Sequence, residues 1–93
     1  MVVGQVQNVS SQYVALTRAV VRRACAACGR ATGWKGTLTL KITANGKIFV
    51  VGGDTRVRQC LQRWLAQRLR LLTGRSGWLL NKHSPARITV TLR

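Results

Sequence analysis

The chain has 93 residues, 16 Lys and Arg against a single acidic side chain, Asp54, and a formal net charge of +15. A compact domain so charged repels itself, so a polyanion must normally surround it: nucleic-acid phosphate first, anionic lipid as the competitor. The 46% apolar content excludes a disordered basic tail, and no apolar run approaches the roughly 18 residues of a membrane-spanning helix.

In chain order, Val2 to Gln7 alternates weakly and suits a short strand, with Val2, Gly4 and Val6 on one side and Val3, Gln5 and Gln7 on the other. Ser10-Ser11 caps a helix running to about Cys28, closed by a left-handed Gly29. Its apolar stripe reads Leu16, Val20, Ala24 and Ala27, while Arg18 and Arg22 share a side at i, i+4. Residues 1–33 hold Arg, Ser and Thr but no acid, the pattern also of a mitochondrial transit peptide. They are read as part of the domain, because the remaining sheet would otherwise be poorly covered.

Thr37 to Val51 carries the clearest signal. Two alternating runs flank Asn45-Gly46, a two-residue hairpin pattern. That turn sets Ile42 opposite Phe49 and Leu40 opposite Val51, all on one oily face with Leu38. The other face then holds Thr37, Thr39, Lys41, Thr43, Ile48 and Val50. After Gly52-Gly53, Asp54 or Thr55 caps a second helix to about Leu72, where a carboxylate offsets the orphan amides and the helix dipole.

On that helix Val57, Cys60, Leu61, Trp64, Leu65, Leu71 and Leu72 form a broad apolar face. Arg56, Arg63 and Arg70 line the opposite side, about 10.5 Å apart. Arg68 falls inside the apolar arc and must snorkel or find a partner. Thr73 to Gly77 is a loop, Trp78 to Asn81 a short strand, Lys82 to Pro85 a turn and Arg87 to Arg93 a final strand. In that last strand Ile88, Val90 and Leu92 point one way, and Arg87, Thr89, Thr91 and Arg93 the other. Two helices packed on one face of a mostly antiparallel sheet make the economical α+β architecture, in one domain over residues 1–93.

Catalysis finds little material. One His, His83, and one carboxylate do not assemble an acid–base or nucleophilic pair, and Gly52-Gly53 matches no phosphate-loop signature. Cys25-Ala-Ala-Cys28 has half-zinc-site spacing without a second half, and reads as small apolar residues on a helix. No metal, cofactor or small-molecule substrate is expected. Three cysteines without a secretory signal argue against a disulfide framework and for a reducing compartment. Trp64 reads as core, Trp34 and Trp78 as open; with Phe49 inward, no aromatic lies on the outer sheet face to stack on bases.

From residue 33 onward the order of signals resembles a known family. Gly33-Trp-Lys-Gly36 leads into an alternating strand, Lys47-Ile-Phe-Val-Val returns, and a helix carries Cys60-Leu61 and Leu69-Arg70. A short basic loop with Arg75 precedes Trp78-Leu79 and the terminal Arg87-Ile-Thr-Val-Thr-Leu-Arg93. Over about residues 10–93 this resembles the eukaryote-specific large-subunit ribosomal protein twenty-two family. The resemblance implies a small α/β domain on large-subunit rRNA, with the basic positions of its second helix and following loop on the RNA. Arg58, Arg70 and Arg75 fall at or within one residue of those positions. The family's acidic tail and basic N-terminal extension do not appear, the first helix lacks its acidic residues, and Ala66, Gln67 and Leu71 replace lysines.

The expectation is a structural constituent of the large ribosomal subunit, cytoplasmic, bound to rRNA backbone and touching neighbouring ribosomal proteins. Its candidate RNA-binding residues are Arg56, Arg58, Arg63, Arg68 and Arg70 on the second helix and Arg75 and Lys82 beyond it. Lys41 on the sheet and Arg18 and Arg22 on the first helix complete the set. The alternatives are a cationic amphipathic membrane-surface protein, suggested by the second helix, and a mitochondrial ribosomal or nucleic-acid-binding protein.

Overall fold

A computed structural model describes residues 2–75 and 77–93; Met1 and Ser76, the latter in the expected loop, lie outside the described residues. The elements run β1 (Val2–Gln7), α1 (Ser11–Thr32), β2 (Gly36–Ile42), β3 (Ile48–Val51), α2 (Thr55–Arg68), α3 (Arg70–Thr73) and β4 (Ala86–Leu92). The strands form one sheet in the order β1-β4-β2-β3, every neighbouring pair antiparallel. The helices cover one face, as the α+β expectation has it.

β4 is the strand that completes the sheet, paired with β1 on one side and along all of β2 on the other. Its alternation decides the layers: Ala86, Ile88, Val90 and Leu92 are buried and Arg87 and Thr89 exposed. In β1, Val3 pairs with Val90 and Val6 with Ile88, so Gly4 and Gln5 both oppose Thr89 in a bulge. Val3 and Val6 consequently share the inner face, instead of lying on opposite sides as strict alternation implies.

The β2–β3 hairpin differs from its expected register by one residue. Leu40 pairs with Val50 and Ile42 with Ile48, because the loop has three residues, Ala44-Asn45-Gly46, rather than two. The Gly46 amide donates to the Thr43 carbonyl at 3.0 Å, and Gly46 then turns left-handed with φ +84°, a tight turn followed by a bulge. The Thr43 hydroxyl accepts from the Lys47 amide at 3.1 Å, fixing that closure. Since side chains alternate, one residue of slip exchanges the faces. Val50 and Ile48 therefore turn inward, and Phe49 and Val51, each 51% exposed, turn out.

α1 is one turn longer than expected. Gly33, not Gly29, is the left-handed closing residue, with φ 69°. Gly29 is glycine for another reason: a Cβ there would stand 2.9 Å from the Leu92 Cδ2 methyl. The buried stripe is Thr17, Val21, Ala24, Cys25 and Cys28, rotated from the expected one, and Leu16 is 54% exposed. What turns the helix is Trp78, 2% exposed, whose Nε1 donates to the Thr17 hydroxyl at 3.2 Å. A buried indole N–H needs an acceptor, and the hydroxyl at position 17 supplies it. Ser10 occupies the N-cap position, but its hydroxyl donates to the Gly77 carbonyl instead of capping the helix.

Asp54 does cap α2, Oδ1 accepting from the Val57 amide at 2.9 Å. The helix ends at Arg68, and after Leu69 the short α3 follows, so the expected single helix to Leu72 is interrupted. Leu72 is buried there while Leu71, expected on the apolar face, is 79% exposed. The expected strand from Trp78 reduces to one bridge between Val9 and Leu79. Asn8 organises that loop: its side chain donates to the carbonyls of Asn81 and Ser84 and accepts from the Asn81 amide.

Cys28 on α1 and Cys60 on α2, expected as unpaired thiols, form a disulfide between Cα atoms 5.7 Å apart, across 32 positions of sequence. Closing a loop of that length restricts the unfolded chain by about 3–4 kcal/mol in the entropic account. Reduction, or Cys60→Ala, should lower urea-derived stability by about that amount; an unchanged midpoint would show that the bond does not stabilise the fold. The register makes a second contrast. Val50→Ala is expected to cost about 1.5–3 kcal/mol and Phe49→Ala under about 1 kcal/mol, an order that the two-residue turn would invert.

Candidate nucleic-acid interface

The single acidic side chain and the three cysteines have structural places, while His83 is exposed. Asp54 caps α2 through Oδ1, and its Oδ2 lies 3.7 Å from the Arg56 guanidinium. Burial pushes the Cys25 thiol up from 9.0 to about 11, so it stays protonated at neutral pH and is a poor nucleophile. Cys28 is bonded to Cys60 rather than poised for a metal with Cys25. Among the described residues no three of His, Cys, Asp and Glu stand together as an ion site.

α2 presents a different chemistry. Arg56, Gln59, Arg63, Trp64, Gln67 and Arg68 line an open groove of about 400 Å³. The spacing explains the gathering: 56, 59, 63 and 67 recur at three- and four-residue steps and share one helical side. Val57, Leu61 and Leu65, on the other side, are fully buried.

Trp64, expected in the core, is only half-buried at the groove wall. Leu61, Leu65 and Leu69 already fill the core positions of this segment, and the central aromatic volume is taken by Trp78. The exposed face of Trp64 carries the Arg68 guanidinium, 4.0 Å from the ring centroid. That stacking accounts for an arginine inside the apolar arc. A guanidinium laid on an indole gains cation–π attraction, while the N–H groups at its edge keep the planar fork suited to phosphate.

The other expected residues divide. Arg58 is exposed on the first turn, its Nε 3.4 Å from the Asp54 carbonyl. Arg70 belongs to α3 and lines a concavity of about 230 Å³ with Asn45 and Gly46 of the hairpin. Arg75 and Lys82 share another, about 340 Å³, with Ala44 and Thr73. The three therefore gather round the hairpin tip, beyond the end of the α2 groove. Arg18 is half-buried and donates to the Val3 carbonyl at 3.0 Å, which ties α1 to the edge strand. Arg22 is exposed one turn further along α1, and neither of these lines the concavities that hold the α2 arginines.

Lys41 lies on the outer face of the sheet with Thr39, Arg87 and Thr89, as expected, and is joined there by Phe49 and Val51, which were expected inward. Cross-strand pairing aligns Gln7, Arg87, Lys41 and Phe49 in one row. Thr89, Thr39 and Val51 form the next. Phe49 is legible only through the turn, since its facing follows from a loop of three rather than two residues. A further cationic concavity, about 300 Å³, is made by Arg30, Lys35 and Arg93 beside Trp34. Nothing local in the sequence announces it, because its three cations come from three separate segments. No family model, curated protein or solved structure matches the chain.

Proposed function

We propose that this protein is a non-catalytic, structural RNA-binding component of the large ribosomal subunit, held on rRNA backbone by its arginines. The observation that carries the reading is the groove on α2, where Arg56, Arg63 and Arg68 stand together with Trp64 and the chain's single acidic side chain lies beside only the first of them, at 3.7 Å. Backbone recognition needs this: fixed guanidinium forks spaced along one element, without base-reading geometry. Arg70, Arg75 and Lys82 add a second cationic cluster at the hairpin tip, and Arg58 is exposed on the first turn of α2.

The order of motifs that resembles the ribosomal protein twenty-two family supports this partner over another polyanion, and with it a cytoplasmic ribosome beside other ribosomal proteins. The burial of the apolar side of α2 favours this reading over the membrane-surface alternative. Val57, Leu61 and Leu65, which would have to enter the lipid, are fully buried against α1 and the sheet, and no described helix is long and apolar enough to cross a membrane.

Affinity for a structured fragment of large-subunit rRNA, measured by filter binding, should fall linearly on a log–log plot against salt. Replacing Arg56, Arg63 and Arg68 together by Gln should weaken binding to all structured RNAs alike. It should also reduce that slope by about 3, one unit for each phosphate no longer neutralised. Affinity indifferent to salt, or a triple variant with the parent slope, would remove the α2 groove from the interface. Co-sedimentation of the intact protein with large rather than small subunits tests the assignment directly.

A further inference from the structure

The face of the sheet turned away from α1 and α2 is uncovered, and its chemistry is not that of a solvated surface. Phe49 and Val51 stand exposed on β3. Lys41 on β2 pairs across from Phe49, and Arg87 on β4 pairs across from Lys41. Adjacent strands lie about 4.8 Å apart, so the ring and the two cations fall within roughly 10 Å along one row. The next row holds Thr89, Thr39 and Val51, and in the row beyond it the Thr37 and Thr91 hydroxyls are hydrogen-bonded to each other at 3.1 Å. Asp54 caps α2 and is not on this face, so the face carries cations without any carboxylate.

We infer that this face is a second RNA site, one that takes an unpaired strand: a base stacks on Phe49 while Lys41 and Arg87 hold the flanking phosphates. The inference rests on the RNA-binding reading and adds a substrate class to it. Charge complementarity selects a polyanion. The aromatic ring then selects among polyanions, because a paired helix keeps its base faces stacked inside, whereas a single strand offers them to a side chain. Hydroxyls and cations around one ring give little base-edge readout, so the preference is for unpaired over paired RNA rather than for one sequence. The α2 groove has the opposite character, with its tryptophan face already covered by Arg68. The two surfaces divide paired and unpaired RNA between them.

The test uses the whole chain with two probes, an unstructured single-stranded RNA of about 12 nucleotides and a paired RNA of about 12 base pairs. Phe49→Ala should weaken the single strand roughly 5- to 150-fold, the range of one base–aromatic stack, with duplex affinity kept within about twofold. Phe49→Trp should restore it, and Lys41→Gln with Arg87→Gln should lower the single-strand salt slope by about 1.4. The Arg56, Arg63 and Arg68 triple variant should show the reverse preference. Unchanged single-strand affinity in Phe49→Ala overturns the inference while duplex binding by the parent leaves the α2 reading standing. If the parent binds neither probe, both fall. If Phe49→Ala weakens both probes equally, the face is not selective for unpaired RNA and the inference again fails.

Discussion

The sheet depends on β4 entering between β1 and β2. Until that strand is in place, β1 has no partner and the β2–β3 hairpin has only its own short ladder. Ile88 and Val90 are fully buried and Leu92 nearly so, so the same insertion supplies the apolar floor on which α1 rests. Leu92 then sets how near the helix lies. Its methyl group fills the space where any side chain at position 29 would project, and a helix interior tolerates the roughly 1 kcal/mol cost of glycine for that closeness. Packing between segments more than fifty residues apart thus fixes the layers, and local propensity only prepares them.

That division explains which parts of the fold are legible in the sequence. The Asp54 cap, the apolar face at Val57, Leu61 and Leu65, and the alternation from Ala86 to Leu92 are local patterns, and the structure keeps them. The α1 stripe misleads because Thr17 is polar by type. It is buried only because an indole from residue 78 needs its hydroxyl, a partner 61 positions away. The hairpin is recognisable but its register slips by one residue: Asn45-Gly46 fits a two-residue turn, yet the Thr43 hydroxyl closes a three-residue one. Of the site, the α2 arginines are legible because one helix holds them. The outer-face ring is not, since its orientation hangs on that single turn. The Cys28–Cys60 pairing depends on how α1 crosses α2, which no spacing encodes.

Positive charge on both long helices makes the packing of α1 against α2 the costly step. Arg22, Arg23 and Arg30 on one helix and Arg56, Arg58 and Arg63 on the other are all exposed, and Asp54 is the only carboxylate side chain to offset them. Their repulsion is screened by salt over about 10 Å at 0.1 M, comparable with the 12.1 Å radius of gyration. A bond joining the two helices where they cross opposes that repulsion directly. Where glutathione keeps the pair reduced, the helices would be held by the core alone, and phosphate around the arginines would take over the balancing of charge. On the proposed RNA-binding reading, stability and binding are coupled by linkage: a ligand that binds only the folded chain stabilises it.

The same physics bears on how one small domain could hold more than one segment of RNA. Helices cover a single face of the sheet, and the principal extents are only 35 × 20 × 18 Å, so the α2 groove and the row through Arg87, Lys41 and Phe49 lie on opposite sides of a thin body. Like charges on opposite faces cannot both approach one duplex. They can be neutralised together only if a polyanion passes on both sides. At about 0.1 M salt each face is largely screened from the other, so on the proposed reading the two faces hold their own strands independently and no conformational change need link them.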